Sequence, residues 1–241
     1  MLNFARRMLT AAGTLLVPPC CVICSADTEP QVHLCRRCAG DVRRITAPRC
    51  ERCSQPFDGA ITEVFTCDNC GGREVHYECA VAPYVATGAV RELIHHFKYR
   101  SDIFLVSTLG GWLADALQDP RIASRPADAF VPVPLHHVRF REREFNQAAE
   151  LAAFLTKRTG IATWHALKRT RYTTTQTRLS RAERMENLRG AFRVRQTGRV
   201  KGQHIVLVDD VFTTGSTVEE CSRVLLRAGA ASVRVITVAR G

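Results

Sequence analysis

The sequence VLVDDVFTTGST, residues 206–217, decides the fold of this chain. An apolar run ends at the acid pair Asp209 and Asp210, and a turn rich in hydroxyl groups then leads into a helical pattern. A strand that passes through a short turn into a helix is one unit of a parallel α/β sheet, and such sheets bind ligands at the carboxyl ends of their strands. The sequence therefore predicts a ligand site at this turn.

The composition of the turn predicts that the ligand carries a phosphate. Backbone N–H groups at the start of a helix attract a phosphate, glycine allows close approach, and hydroxyl groups donate further hydrogen bonds. The acid pair comes one turn earlier, where its carboxylates suit the hydroxyl groups of a sugar that carries the phosphate. The residues expected to hold the phosphate are Thr213, Thr214, Gly215, Ser216 and Thr217. The alternative is an ordinary Ser/Thr helix cap beside an incidental acid pair.

Strands and amphipathic helices alternate around this motif. Residues 79–85, 129–134 and 232–239 have the composition of strands, and apolar residues between them recur at helical spacing. The helical stripes are Val90, Leu93, Ile94 and Phe97; Leu105, Leu109, Trp112, Leu113 and Ala116; Ala148, Leu151, Ala152 and Leu155; Val218, Cys221, Leu225 and Ala228. This alternation predicts a parallel-sheet α/β domain over residues 79–241.

One basic segment interrupts the alternation. Residues 168–190 are polar and lack a clean apolar period, and a connection of this length is usually a functional loop or disordered. Its positive charge favours a loop that covers an anionic ligand. The alternative for the second half is a solvated, charged helix over residues 180–189.

Cysteines predict a second, metal-ordered unit. Ten of the 11 cysteines lie before residue 80, and eight of them form four Cys-x-x-Cys pairs in a stretch without helical or strand period. Zinc held by thiolates accounts for this clustering better than disulfides do, and it indicates a reducing, cytoplasmic compartment. We predict a zinc-binding module over residues 20–78 with one or two structural Zn²⁺ ions. The candidate ligands are Cys21, Cys24, Cys35, Cys38, Cys50, Cys53, Cys67 and Cys70.

Spacing leaves two arrangements of the four pairs open. Consecutive pairs form one set over residues 21–38 and another over residues 50–70, whereas interleaving joins the first pair with the third. Consecutive pairing is favoured because it closes shorter loops. His33 and His76 could replace a ligand, but with eight thiolates present we expect them to be ordinary surface residues.

The N-terminus, residues 1–19, is expected to be a short amphipathic segment. Its apolar run has a faint similarity to a secretory signal, but it is short and leads into prolines and cysteines. No stretch approaches the roughly 20 apolar residues that a membrane span needs.

The formal net charge of +11 arises in one part of the chain. Residues 136–201 hold 16 Lys or Arg against five Asp or Glu, whereas residues 1–135 hold 14 of each and residues 202–241 hold four of each. Such a basic surface is typical of proteins that meet phosphate groups, either on a small ligand or on nucleic acid.

Two motifs together carry a resemblance to a known family. VLVDDVFTTGST resembles the ribose-phosphate loop of type I phosphoribosyltransferases, and VPVPLHHVRFREREFNQAAELA, residues 131–152, resembles the competence protein F (ComF) family. Gln176, Arg184, Asn187 and Phe192 extend that resemblance. The family pattern has Arg-Gly-Phe-Asn-Gln where this chain has Glu144 in place of the glycine.

The resemblance implies roles for individual residues. Asp209 and Asp210 would bind ribose hydroxyls, and residues 213–217 would bind the 5′-phosphate of phosphoribosyl diphosphate, with Mg²⁺ as cofactor. A pyrophosphate loop would contain Pro134, Leu135 and His136, with Arg139 and Arg143 as anion contacts. Residues 170–187 would form a lid that includes Gln176 and Arg184.

The resemblance also implies a part in DNA uptake during natural transformation. One hypothesis is an enzyme that transfers the phosphoribosyl group, although the sequence names neither the acceptor nor a general base. The alternative is a protein that binds single-stranded DNA, or docks on a competence helicase or translocase through its zinc module, with the phosphoribosyl site as a sensor.

Overall fold

The computed structural model describes residues 18–59, 61, 64–172, 181–195 and 197–241. The predicted N-terminal segment and Gln176 therefore fall outside the described residues, apart from positions 18 and 19.

A five-stranded parallel sheet forms the centre of the described chain. Its strands are β1 (Ala80–Val81), β2 (Tyr84–Val85), β3 (Ala129–Pro132), β6 (His204–Phe212) and β7 (Ser232–Arg240); β4 (Leu167–Arg169) and β5 (Phe192–Val194) form a separate antiparallel pair. β6 and β7 lie side by side, β3 flanks β6, and both β1 and β2 pair with β7. This arrangement confirms the predicted fold class.

The central strand explains why its sequence is so clear. Val206, Leu207 and Val208 are fully buried, because a parallel sheet is covered by helices on both faces. A strand of this kind is a continuous apolar run, and β6 leaves that run only where it reaches the acid pair.

Helices flank the sheet at the predicted stripes. The α-helices of the described chain are α1 (Arg36–Gly40), α2 (Gly88–Tyr99), α3 (Val106–Asp115), α4 (Pro120–Ala123), α5 (His137–Arg143), α6 (Gln147–Thr159), α7 (Arg181–Leu188), α8 (Thr197–Val200) and α9 (Ser216–Arg227). The helices α2, α3, α6 and α9 correspond to the four stripes. For the segment 180–189 the helix alternative is correct, since α7 occupies its residues Arg181–Leu188. The short strands β4 and β5 were not predicted.

Cysteines of the predicted zinc-binding module pack on the α/β domain in two places. Cys21 and Cys38 share a hydrophobic cluster with residues of α2 and α3, whereas Cys50 and Cys53 share another with residues of β6 and α9. Arg121 of α4 donates hydrogen bonds to the carbonyl oxygens of Cys50 and Glu51 and to Ser54 Oγ, at 3.3, 2.6 and 3.0 Å. The division of the chain at residue 79 remains a prediction.

Among the described residues, no helix combines the length and apolar character that crossing a membrane requires.

Candidate functional site

The predicted phosphate turn lies between the end of β6 at Phe212 and the start of α9 at Ser216. Gly215 has a φ of 77°, and a Cβ at this position would lie 2.5 Å from the Phe212 ring. Glycine is therefore required both by the left-handed backbone and by the close approach of the ring. Thr214 Oγ1 and Ser216 Oγ are 3.0 Å apart, so that the turn presents two hydroxyl groups together.

The acid pair lies near the carboxyl end of β6. Asp210 is buried, with 7% of its surface exposed, and its Oδ1 is 2.7 Å from Lys98 Nζ. Burial and the charge of Asp210 raise the pKa of Asp209 to about 7, although Lys98 and Arg143 oppose this increase. The pair therefore holds negative charge that hydroxyl donors or a cation can relieve.

One cavity joins the acid pair to the predicted pyrophosphate loop. Its volume is about 140 Å³. Its lining residues are Lys98, Val133, Pro134, Leu135, His136, Arg139, Arg143, Asn146, Gln147, Ala148, Arg169, Tyr172, Asp209, Asp210 and Thr217. The structure thus brings together Thr217, the acid pair and every residue predicted for the pyrophosphate loop and its anion contacts.

Four predicted residues are not among the lining residues of this cavity. They are Thr213, Thr214, Gly215 and Ser216, which form the turn and the first residue of α9 next to Thr217. The side chain of Arg184, like Gln176, lies outside the described part of the chain, so their predicted roles remain predictions.

The pyrophosphate loop is held in place by the ends of two helices. His136 begins α5 by accepting a hydrogen bond from the Val138 N–H at 3.4 Å. Asn146 accepts from the N–H groups at the start of α6, and its amide donates to the Val133 carbonyl oxygen at 3.0 Å. Burial lowers the pKa of His136, and the neighbouring His137 and Arg169 lower it further. This histidine therefore favours its neutral form in the free protein.

Sequence reasoning missed several residues of the cavity. Lys98 lies in α2, far along the chain, and nothing in the local pattern of that helix marks it as a ligand-site residue. Arg169 and Tyr172 fall at the start of the basic segment 168–190. Their charge and aromatic ring could be read from the sequence, but their position at the cavity could not. Asn146 and Gln147 belong to the quoted family motif, which was the available signal.

Glu144 occupies the residue after α5, where the chain adopts a left-handed conformation with a φ of 64°. Its N–H donates to the Phe140 carbonyl oxygen at 2.7 Å and closes the helix. Glycine is the residue that this helix ending favours, because it has no Cβ to strain. The glycine of the family pattern is thus explained by backbone conformation.

The cysteines form two sets of four. Cys21, Cys24, Cys35 and Cys38 make one set and Cys50, Cys53, Cys67 and Cys70 the other, with the sulfur atoms of each set within 4.8 Å of one another. Neighbouring Sγ atoms are 3.6 Å apart in Cys24–Cys35 and Cys24–Cys38 and 3.5 Å apart in Cys53–Cys67. Tetrahedral zinc with bonds of about 2.3 Å needs sulfur atoms about 3.8 Å apart. Both sets fit zinc, and the consecutive arrangement is correct.

In each set the surroundings favour the thiolate form of one cysteine and raise the pKa of another. Burial opposes ionisation of Cys21, but backbone hydrogen bonds lower the pKa of its thiol to about 6. Hydrogen bonds involving Cys53 and Cys70 hold the pKa of Cys50 far below its usual range, while the same interaction raises that of Cys53 to about 11. Metal binding would complete the deprotonation of the remaining thiols.

The two histidines near these sets have other partners. His33 Nδ1 is 2.8 Å from Thr108 Oγ1, and His76 Nδ1 is 2.5 Å from Glu219 Oε1. Neither histidine belongs to a four-sulfur set. His76 instead ties the region after the second set to α9, the helix that begins at the phosphate turn.

Comparison with known proteins agrees with both parts of this architecture. Residues 146–241 match the phosphoribosyl transferase domain, and residues 12–71 match the double zinc ribbon domain. The fold and the sites therefore define a protein with a phosphoribosyltransferase-type domain and an N-terminal double zinc ribbon.

Relatives of known name cover nearly the whole chain. This chain is 34% identical over 234 residues to DNA utilization protein YhgH of Salmonella typhimurium. The match covers 94% of this chain and 99% of the relative. It is 35% identical over 234 residues to the protein of the same name from Escherichia coli (strain K12), covering 91% and 89%. It is 29% identical over 229 residues to competence protein F of Haemophilus influenzae, covering 91% and 96%. The chain belongs to the family that contains DNA utilization protein YhgH and competence protein F.

Proposed function

We propose that this protein binds phosphoribosyl diphosphate with Mg²⁺ in the cavity between the acid pair and the pyrophosphate loop. The observation that carries the proposal is the meeting, in one cavity, of Asp209 and Asp210 with Arg139 and Arg143. Carboxylates suit the ribose hydroxyls, and guanidinium groups suit the pyrophosphate because they form charge-assisted, often bidentate hydrogen bonds with it.

The donor atoms available also suit the cation. Mg²⁺ takes oxygen ligands and is commonly held by one or two carboxylates together with phosphate oxygens of the substrate. Asp209 and Asp210 supply such carboxylates, and burial together with the charge of Asp210 raises the pKa of Asp209 in the free protein. A bound cation would supply positive charge and neutralise the pyrophosphate.

If transfer occurs, the acceptor forms a bond to the anomeric carbon while the bond from that carbon to the pyrophosphate oxygen breaks. The pyrophosphate leaves with the electron pair of that bond, and the acceptor releases its proton to water. The arginines of the cavity stabilise the charge that develops on the leaving pyrophosphate. Catalysis of this kind depends on positioning and electrostatic stabilisation. If transfer occurs, the protein is an enzyme. If it binds phosphoribosyl diphosphate without transfer, the site acts as a sensor.

Calorimetric titration of phosphoribosyl diphosphate, with and without Mg²⁺, tests the proposal. Asp209→Asn with Asp210→Asn should abolish binding while the thermal transition is retained. A matched control is Asp27→Asn with Asp58→Asn, which makes the same charge change at two exposed positions of the predicted zinc-binding module. Equal affinity in the site variant and the control would refute the phosphoribosyl site.

Binding of single-stranded DNA is the second candidate, and the excess of 16 basic over five acidic residues in residues 136–201 favours it. Affinity should fall with salt at a log-log slope of roughly −0.7 for each phosphate neutralised. Replacing Arg178, Arg181 and Arg184 with Glu should reduce that slope by about two units if the lid contacts the strand. An unchanged slope would show that the lid does not contact the DNA.

The names of the relatives support a role in DNA utilization or competence for this chain as well. We place it in the cytoplasm, because thiolate zinc ligands persist in a reducing compartment. A competence helicase or translocase that docks on the zinc ribbons is the partner that fits this role.

A further inference from the structure

A second cavity, of about 500 Å³, lies next to the proposed phosphoribosyl site. The two cavities share Pro134, Leu135, Asn146 and Arg169 among their lining residues and are therefore adjacent. Ligand cavities for small organic molecules are commonly about 300–1,000 Å³. The second cavity therefore has room for a ligand of its own.

One wall of the second cavity is cationic. Lys168 and Arg169 of β4 line it, together with Arg195, which directly follows β5. The Arg195 N–H donates to the Ala166 carbonyl oxygen at 2.7 Å, which holds this arginine against the same strand pair. Three cations on one antiparallel strand pair form a surface that attracts a phosphate.

The lining of the same cavity also contains an aromatic ring. Phe140 of α5 lines the cavity and is 48% exposed, although its neighbours in that helix are mostly charged. Leu135 and Leu167 add apolar surface, and Glu150 of α6 adds a hydrogen-bond acceptor. An exposed phenyl ring beside cations is the combination with which proteins hold a base and its phosphate.

From this arrangement we propose that the second cavity binds one nucleotide unit. The phosphate contacts Lys168 and Arg195, the base stacks on Phe140, and Glu150 accepts from an amino group of the base. The unit is either a free nucleotide or one residue of a single strand, since both present the same chemistry. The site goes beyond the phosphoribosyl site proposed above and does not depend on it, although Arg169 lines both cavities.

Calorimetric titration of the full chain with dAMP tests this site. Phe140→Ala and Arg195→Glu should each weaken dAMP binding by about fivefold or more, the range expected when stacking or a phosphate contact is removed. Phe104→Ala is the control for the ring, because Phe104 is 49% exposed on another part of the surface. Arg141→Glu is the control for charge, because Arg141 is exposed on α5 but does not line the cavity. Both controls should remain within twofold of the parent protein.

Titration with a 5′-phosphorylated oligodeoxythymidylate distinguishes the two sources of the nucleotide. If the oligonucleotide binds and dAMP does not, and Phe140→Ala weakens oligonucleotide binding by about fivefold or more, the cavity binds nucleic acid and the proposal is supported. Absence of binding by either probe overturns it. Loss of dAMP binding in the Asp209→Asn, Asp210→Asn variant, with no effect of Phe140→Ala, also overturns it because the nucleotide then occupies the phosphoribosyl site. If phosphoribosyl diphosphate does not bind while dAMP behaves as expected, the proposed function fails and the nucleotide site stands.

Discussion

Lys98 Nζ lies 2.7 Å from Asp210 Oδ1, and this ion pair joins α2 to the acid pair of the central strand. The lysine side chain is 20% exposed and that of the aspartate 10%, so that water screens the pair weakly. In the free protein Lys98 supplies positive charge that the two adjacent carboxylates need. The ion pair thus links the stability of the fold to the charge of the ligand site.

Removal of this lysine should destabilise the protein. We expect Lys98→Met to lower the free energy of unfolding by about 2 kcal/mol, because it leaves the acid pair without its partner. The same substitution in an Asp210→Asn background should cost less than half as much. Urea unfolding of the four proteins of this double-mutant cycle measures the coupling. Lys157→Met, at an exposed position of α6, is the control, and equal losses in both backgrounds would contradict the assignment.

Asp209 should destabilise the free protein at high pH. Its pKa is about 7 in the folded state, above the ordinary value of 3.8, so that the folded protein binds the proton more tightly than the unfolded chain does. The unfavourable contribution is fully present above pH 7 and disappears as the pH falls towards 4. We therefore expect Asp209→Asn to raise Tm at pH 8 by at least about 2 °C, with a smaller gain at pH 5. Thermal scans without ligand across this range provide the measurement, and a gain that grows on acidification would contradict the sign.

The purified protein should contain about two zinc ions per chain, because each four-sulfur set fits one tetrahedral ion. Cys24→Ser and Cys53→Ser should each lose one ion by elemental analysis. Cys53→Ser should lower Tm more, since Cys53 is completely buried in the cluster that includes β6, whereas Cys24 is exposed. Cys20→Ser, at an exposed cysteine outside both sets, should keep two ions. A zinc content near zero in protein prepared without chelator would refute the prediction of a zinc-binding module.

Glu144→Gly should stabilise the protein by about 0.5–1 kcal/mol. The left-handed backbone at this position strains any residue with a Cβ, and glycine relieves the strain at some cost in the entropy of the unfolded chain. Glu144→Ala separates this effect from charge, because alanine keeps the Cβ and removes only the carboxylate. Denaturant unfolding of the three proteins should show the gain with glycine alone. Equal gains from alanine and glycine would identify electrostatic repulsion as the cause.

The sequence predicted the parts of the fold and site that depend on local patterns. β6 was visible because both its faces are covered, which makes it a continuous apolar run, and the acid pair followed directly from its end. Lys98 was not visible because its role arises from the packing of α2 against β6, which no local period records. The strands β4 and β5 contain three residues each, too few to display a period of two. Cysteine spacing left the pairing open, and only the positions of the sulfur atoms decided it.

Glu219 and Glu220 extend α9 immediately beyond the phosphate turn, and each has a different distant partner. Glu219 accepts from His76, beyond the second zinc set, and Glu220 accepts from the N–H of Gly190, just after α7. One additional residue inserted after Ser216 would rotate both carboxylates by about 100° around the helix and break both contacts. The number of residues from Gly215 to Glu220 therefore fixes both contacts. A substitution between them should be tolerated better than an insertion or a deletion.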